Sequence, residues 1–228
     1  MLGTPFESEF QLQSGTRLHL RPMDSKDYAT AYEIFCHEYY RPNRLLDRSK
    51  VRTVVDLGAN VGFASLYFAT VFPSAHIWSF EPHPVYFSQL AHQVRRNEIS
   101  KRVTLLNAAA GTRNMYCRIS DEGRNSTIGG SSTENSFGAC MLDLFELAGP
   151  LAPLDYLKMD IEGGEHALLA DPRFESLGIA EIAMEWHDTP EVKNAKLACV
   201  ERLSGLGYQI EIREDCGGYG TLVASRPS

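Results

Sequence analysis

From residue 51 onward, short apolar runs alternate with amphipathic segments, and this rhythm constrains the fold more than any other feature of the chain. Strand-like runs at 51–56, 76–81 and 103–107 are separated by helical patterns at about 62–72 and 84–97, the second opening on Pro84, where a first-turn proline is tolerated. The rhythm resumes with a strand in Leu154–Ile161, a helix from about Gly163 to Ala170, a strand at 179–186 and a helix at about 191–205. Strands linked through helices require right-handed crossovers, so they lie mostly parallel with both faces of the sheet covered. The last two runs, Tyr208–Arg213 and Tyr219–Ala224, are joined by a short glycine-containing turn and predict an antiparallel hairpin. The expected fold is α/β, with a mostly parallel sheet closed by a C-terminal hairpin. At 228 residues it is expected as a single compact domain.

Two regions stand outside this rhythm. Residues 1–50 predict a hairpin around Ser14-Gly15, with Phe10–Leu12 and Arg17–Leu20 as its arms, and a helix capped by Asp24 or Ser25 that runs to about Tyr40. Tyr28, Ala31, Tyr32, Phe35 and Cys36 fall on one helical face, and the segment is expected to pack on the 51–228 core or to cover its active site. Its end, His37–Pro42, gathers polar and aromatic side chains that can face a ligand. Residues 108–138 are irregular, with a turn at Gly111–Asn114 and a Gly/Ser/Asn/Thr-rich stretch from Asp121 to Asn135 that includes Arg124, Asn125, Ser126 and Thr127. A polar loop of this length inside a domain points to acceptor recognition.

Composition removes several function classes. With 22 basic against 29 acidic residues, the net charge of −7 gives no general attraction for a phosphate backbone, so nucleic acid is not expected as a partner. The five cysteines, Cys36, Cys117, Cys140, Cys199 and Cys216, are scattered without metal or redox spacing and read as reduced thiols of a cytoplasmic protein. The first ten residues lack the basic and apolar regions of a signal peptide, and no run approaches the ~18 apolar residues of a membrane span. No membrane partner is expected, and a homo-oligomer is compatible with the sequence.

In open α/β sheets, ligands bind beyond the carboxyl ends of the strands. The residues found there are Asp56, Glu81, Asn107, Asp160 and the Glu185-Trp186-His187 run. Asp56 leads into Gly58-Ala59-Asn60-Val61-Gly62, which lacks the G-x-G-x-x-G spacing of a nicotinamide-dinucleotide fingerprint. Asn60 tolerates positive φ better than other non-glycine residues, so the turn can survive its substitution for a glycine. Glu81 ends the next strand, where a carboxylate can take both hydroxyls of a ribose. Lys158 alternates with Asp160 and so shares its sheet face; it can pair with a neighbouring carboxylate or lower an acceptor's pKa. Glu162 and Glu165 follow Asp160 and can orient it or cap the helix that opens at Gly163-Gly164.

The Asp56–Gly62 turn, Ser79-Phe80-Glu81-Pro82, Asn107-Ala108-Ala109 and Leu157-Lys158-Met159-Asp160-Ile161-Glu162-Gly163-Gly164-Glu165 together resemble the FkbM-type family of S-adenosylmethionine (SAM) dependent methyltransferases. Leu20-Arg21-Pro22 with Asp27, and Glu38-Tyr39, are similar to that family's N-terminal segment, so the resemblance spans about residues 20–187. It implies a seven-stranded, Rossmann-like class I methyltransferase fold and transfer of a methyl group, usually to oxygen. Carried over, Asp56, Gly58, Asn60 and Gly62 face the methionine and ribose of the cofactor, Glu81 its ribose hydroxyls, and Asn107 and Ala108 its adenine, with Asp160 beside the reacting centre. No carboxylate follows the third strand to meet the adenine amine.

Related sugar O-methyltransferases hold a divalent cation on carboxylates at the Asp160 and Glu185 strand ends. By that likeness Asp160, Glu185 and His187 are candidate ligands for Mg²⁺ or Mn²⁺, a choice that suits an oxygen-rich set with one imidazole. Without a metal, a near-neutral His187 is the candidate general base. The acceptor is expected to be a small molecule methylated on a hydroxyl or carboxylate, in secondary metabolism or on a sugar. Nitrogen of an amino acid or peptide intermediate, and a SAM-binding module without catalysis, remain open alternatives.

Overall fold

The computed structural model describes residues 8–12, 15–120 and 136–227. The polar stretch Asp121–Asn135, expected to help choose the acceptor, lies outside the described residues. The chain opens with a hairpin, β1 (Ser8–Gln11) and β2 (Arg17–Leu20), paired antiparallel. Helix α1 (Ser25–Phe35) follows, with the Asp24 carboxylate accepting from the N–H groups of Lys26 and Asp27. The helix stops at Phe35 rather than near Tyr40, and the next residues run as irregular chain across the sheet. Its buried face is also not the expected one. Asp27, Ala31 and Ile34 point inward, while Tyr28 and Tyr32 are exposed. The expectation weighted aromatic residues. The buried stripe is instead centred on Ala31 and Ile34, with Asp27 turned in to accept from the N–H of Met23.

The alternating core then appears in order: β3 (Thr53–Leu57), α2 (Phe63–Val71), β4 (His76–Phe80), α3 (Pro84–Arg96) and β5 (Val103–Leu106). Three further strands, β6 (Ala109–Gly111), β7 (Met115–Ser120) and β8 (Ser136–Asp143), form a separate sheet of order β6-β8-β7. The irregular reading of 108–138 missed this sheet because its first strand is three residues long and the other two carry no clean alternation of burial. The chain continues through α4 (Leu144–Ala148), β9 (Tyr156–Met159), α5 (Glu165–Ala170), β10 (Glu181–His187), α6 (Ala195–Gly205), β11 (Gln209–Asp215) and β12 (Tyr219–Ser225).

The large sheet has the order β11-β12-β10-β9-β3-β4-β5, parallel throughout except that β12 runs against β10 and β11. Strand order reverses at β3, between β9 and β4, so the carboxyl ends of β3 and β9 flank the crevice where ligands bind in such sheets. Both faces are covered. Val54, Ile77, Tyr156, Ala183 and Val223 pack under α1 and α2, while Val55, Leu157, Met159, Ile182 and Met184 pack against α5 and α6. Among the described residues, no helix is long and apolar enough to cross a membrane.

Candidate active site

Where β3 ends, the chain must leave the sheet and begin α2 within a few residues. Gly58, Asn60 and Gly62 make this turn at φ values of 75°, 50° and 96°. The N–H groups of Gly58 and Ala59 donate to the Phe80 carbonyl, which fixes the turn against β4. A side chain at Gly58 would place its Cβ 1.8 Å from the Asp160 carbonyl oxygen, so glycine is required where β3 and β9 converge. Gly62 meets the same restriction from Leu90, whose Cδ1 would lie 2.7 Å from an added Cβ. A cavity of about 1230 Å³ opens beyond these strand ends. It exceeds the ~300–1,000 Å³ usual for one drug-sized ligand and so has room for a cofactor together with an acceptor.

Gly58, Asn60, Glu81 and Ala108 line one side of the cavity. The Glu81 oxygens accept from the N–H of His83 at 2.7 Å and of Asn60 at 2.8 Å, which leaves each oxygen a free lone pair. Burial raises its pKa to about 7, against the lowering effect of those two N–H groups. The Asn60 Oδ1 is buried and has no hydrogen-bond partner. An orphaned acceptor, a buried carboxylate with spare lone pairs and a turn held open by glycine suit the polar groups of a nucleoside, so the residues present fit SAM.

Three of the anticipated cofactor contacts lie elsewhere. Asp56 is fully buried beneath the turn, where its Oδ2 accepts from Ser65 Oγ at 2.6 Å and its Oδ1 lies 3.5 Å from Lys158 Nζ. Gly62 is packed under Leu90, and Asn107 Nδ2 donates to the carbonyls of Glu81 and Pro82; neither lines the cavity. These residues shape the wall from behind. His83 and Tyr86, with ring centroids 4.4 Å apart, line the wall beside Ala108 and escaped the sequence reading because nothing local marks them.

Asp160, Glu185 and His187 come together on the other side, and one ligand atom from each lies within 4.8 Å of the others, a spacing that fits a single divalent cation. Lys158 lies behind them, 2% exposed, donating to the carbonyls of Leu57 and Gly58 and lying 3.5 Å from both Asp56 and Asp160. Burial opposes its charge, but Asp160, Asp56 and Glu185 outweigh that and hold its pKa above the usual lysine value. Glu165, fully buried, accepts from the N–H groups of Ile161 and Gly163 and lies 3.3 Å from His187 Nδ1. It therefore holds both the turn after β9 and the imidazole.

Burial, then Asp160, raise the pKa of Glu162 to about 7, and the same two causes raise Glu185. Burial opposes the charge on His187, yet Glu165, Asp160 and Glu162 lift its pKa to about 9. The near-neutral histidine expected as a base is thus an imidazolium at pH 7, because the carboxylates around it were not foreseeable from its position on one strand.

Tyr40, in the polar and aromatic segment that follows α1, joins this cluster. Its hydroxyl donates to Glu185 Oε1 at 2.7 Å and lies 3.3 Å from Asp160 Oδ2, and the Tyr156 hydroxyl donates to its carbonyl at 2.6 Å. The contacts span 145 and 120 positions of sequence, so no local pattern could reveal them.

A seven-stranded sheet of this order, with a glycine turn after the first core strand, a carboxylate ending the second and the cavity at their carboxyl ends, is the class I, Rossmann-like methyltransferase fold. The chain belongs to the methyltransferase FkbM domain family, whose model matches residues 56–210. It is similar to the methyltransferase FkbM structure from Methylobacillus flagellatus KT, at 18% identity over 87% of this chain and 53% of that one, with a TM-score of 0.57. A SAM-dependent O-methyltransferase from Thermotoga maritima matches at 12% identity over 96% of this chain and 77% of that one, with a TM-score of 0.52. At such identities the structures speak to fold. Methyltransferase sdnD of Sordaria araneosa is 36% identical over 67 residues, 29% of this chain and 22% of that protein. The chain thus spans about half the length of the FkbM structure and about a fifth of the curated relative.

Proposed function

We propose that the protein transfers a methyl group from SAM to an oxygen of a small molecule, a hydroxyl or carboxylate of a secondary metabolite or sugar, and does so in the cytoplasm. The observation that carries this reading is the cavity's division: a turn and carboxylate suited to a nucleoside on one wall, and the Asp160–Glu185–His187 cluster on the other. SAM supplies an electrophilic methyl on its sulfonium, so the chain's task is to orient the acceptor and to dispose of its proton.

Glu81 receives the ribose hydroxyls on its spare lone pairs, and the turn at Gly58 and Asn60 brings the backbone close to the cofactor. Asp160 orients the acceptor hydroxyl, with Lys158 fixing the carboxylate from behind. Glu185 in its ionised form takes the proton at Oε2, since Tyr40 occupies its Oε1, and its pKa, raised to about 8, makes that carboxylate the stronger base and turnover rise with pH through that value. His187, charged, stabilises the negative charge that develops on the acceptor oxygen. A divalent cation held by Asp160, Glu185 and His187, the last in its neutral form, would take the place of the imidazolium's charge and lower the pKa of a bound hydroxyl.

Conversion of SAM to S-adenosylhomocysteine with a panel of hydroxyl- and carboxyl-bearing acceptors tests the proposal, and mass spectrometry of the product gives the atom methylated. Oxygen-methylated product is expected. Calorimetric binding of SAM without transfer to any acceptor would leave a SAM-binding module instead. Loss of turnover on chelation, restored by Mg²⁺, would assign the metal.

A further inference from the structure

The cavity is lopsided in charge. Among the described residues, seven carboxylate side chains line it and no lysine or arginine does. The Asp160–Glu185–His187 cluster accounts for part of this excess; Glu33 lines the cavity as well, and Glu214, outside the lining, ends a row of the sheet that starts at Glu185. Glu185 on β10 pairs in register with Thr221 on β12, and Thr221 pairs with Glu214 on β11, so the three side chains share the face that α1 and the segment after it cover.

The tandem tyrosines cap the two ends of this row. Tyr40 donates to Glu185 at 2.7 Å and Tyr39 to Glu214 at 3.2 Å. Between them the Thr221 hydroxyl, 3% exposed, finds no hydrogen-bond partner. Glu33 of α1 faces the same place, and the mutual repulsion of Glu33 and Glu214, after burial, raises the Glu33 pKa. Arg213, next in sequence to Glu214, spends its guanidinium on the carbonyls of Glu38 and Tyr39 and on Glu211. Tyr219, half exposed at the cavity mouth, brings a second aromatic ring to the wall that Tyr39 and Glu33 form.

Glu33, Tyr39 and Tyr219 on the cavity surface, with Glu214 bonded to Tyr39 and a buried hydroxyl without a partner beneath them, offer acceptors in excess of donors. An ammonium group brings three donors and a positive charge, and aromatic faces attract it further. We propose that the outer wall formed by Glu33, Tyr39 and Tyr219, with Glu214 bonded to Tyr39, is a subsite for a protonated amine, so that the methyl acceptor is an amino alcohol or amino sugar whose hydroxyl reaches Asp160 and Glu185. This deepens the O-methylation reading and rests on it. The amine anchors the acceptor and is not the atom methylated.

Glucosamine, glucose and N-acetylglucosamine, which differ in the charge at one position, are titrated calorimetrically into the full chain saturated with S-adenosylhomocysteine. Glucosamine is expected to bind about ten-fold or more tightly than either neutral sugar. The double variant Glu33→Gln, Glu214→Gln should lose that preference while keeping its affinity for S-adenosylhomocysteine, which certifies its fold, and Tyr219→Leu should reduce the preference alone. Equal binding of the three sugars, no saturable binding of glucosamine, a preference that survives the double variant, or methylation of the glucosamine nitrogen when SAM is supplied would each overturn the amine subsite. Failure of the wild-type chain to bind S-adenosylhomocysteine would instead overturn the methyl-transfer reading beneath it.

Discussion

The two walls of the cavity are built by different means. The wall at Gly58, Asn60 and Glu81 is made largely of backbone: a turn whose φ values fix its shape, pinned to the next strand by two N–H groups on the Phe80 carbonyl. The wall at Asp160, Glu185 and His187 is made of side chains from β9 and β10, supported by Lys158, Glu165 and Tyr40. A backbone wall suits a ligand that stays the same from one enzyme to the next, whereas a side-chain wall sets charge and protonation and can be changed residue by residue. On the proposed function, the first is the place for the cofactor and the second for the acceptor and the chemistry.

Breaking the side-chain wall at its support should have the largest effect. Lys158→Met leaves Asp56 and Asp160 facing one another without their buried cation, and a loss of about 3–5 kcal/mol in chemical unfolding is expected. Asp160→Asn keeps the shape and removes a charge at the proposed reacting centre. Its turnover should fall by about 10²–10⁴-fold with SAM affinity retained, as seen by single-turnover assay beside calorimetry. On the backbone wall, Gly62→Ala imposes both positive φ on a side chain and a clash with Leu90, and should cost about 1–3 kcal/mol in thermal unfolding.

The same division governs what the sequence made legible. The alternation of strand and helix gave the parallel sheet, and the glycine spacing with Glu81 pointed to one wall of the cavity, because both rest on neighbours a few positions apart. The register of β10 beside β9 brings Asp160 to Glu185 and His187, and strand-end reasoning could anticipate that meeting. Tyr40, Thr221 and Glu214 could not be anticipated, since their neighbours arrive from the segment after α1, from β10 and from β11 through contacts more than a hundred positions apart or through strand register. The second sheet was missed for a different reason: its short strands lack the alternation that marks a strand in isolation. Asp56, an acidic residue in the expected place, turned out to be buried against Lys158 and Ser65, a role that spacing alone does not distinguish from contact with a ligand.

Protonation sharpens the contrast further. Glu81, with its pKa raised to about 7, is neutral in the folded chain below that value and ionised above it. Because the folded-state pKa exceeds the unfolded one, its contribution to stability is fully present below the usual carboxylate range and is lost as the pH rises through about 7. Ribose hydroxyls donate to the ionised form, so SAM affinity should rise over the same interval while this part of the stability falls.

The most direct test of the two-wall account is a calorimetric titration of S-adenosylhomocysteine into the wild type, Glu81→Gln and Glu185→Gln across that pH range. Glu81→Gln is predicted to bind about ten-fold more weakly and to lose the pH dependence, with Glu185→Gln binding as the wild type does. Equal weakening by both variants, or none by Glu81→Gln, would contradict the assignment of cofactor to one wall and chemistry to the other.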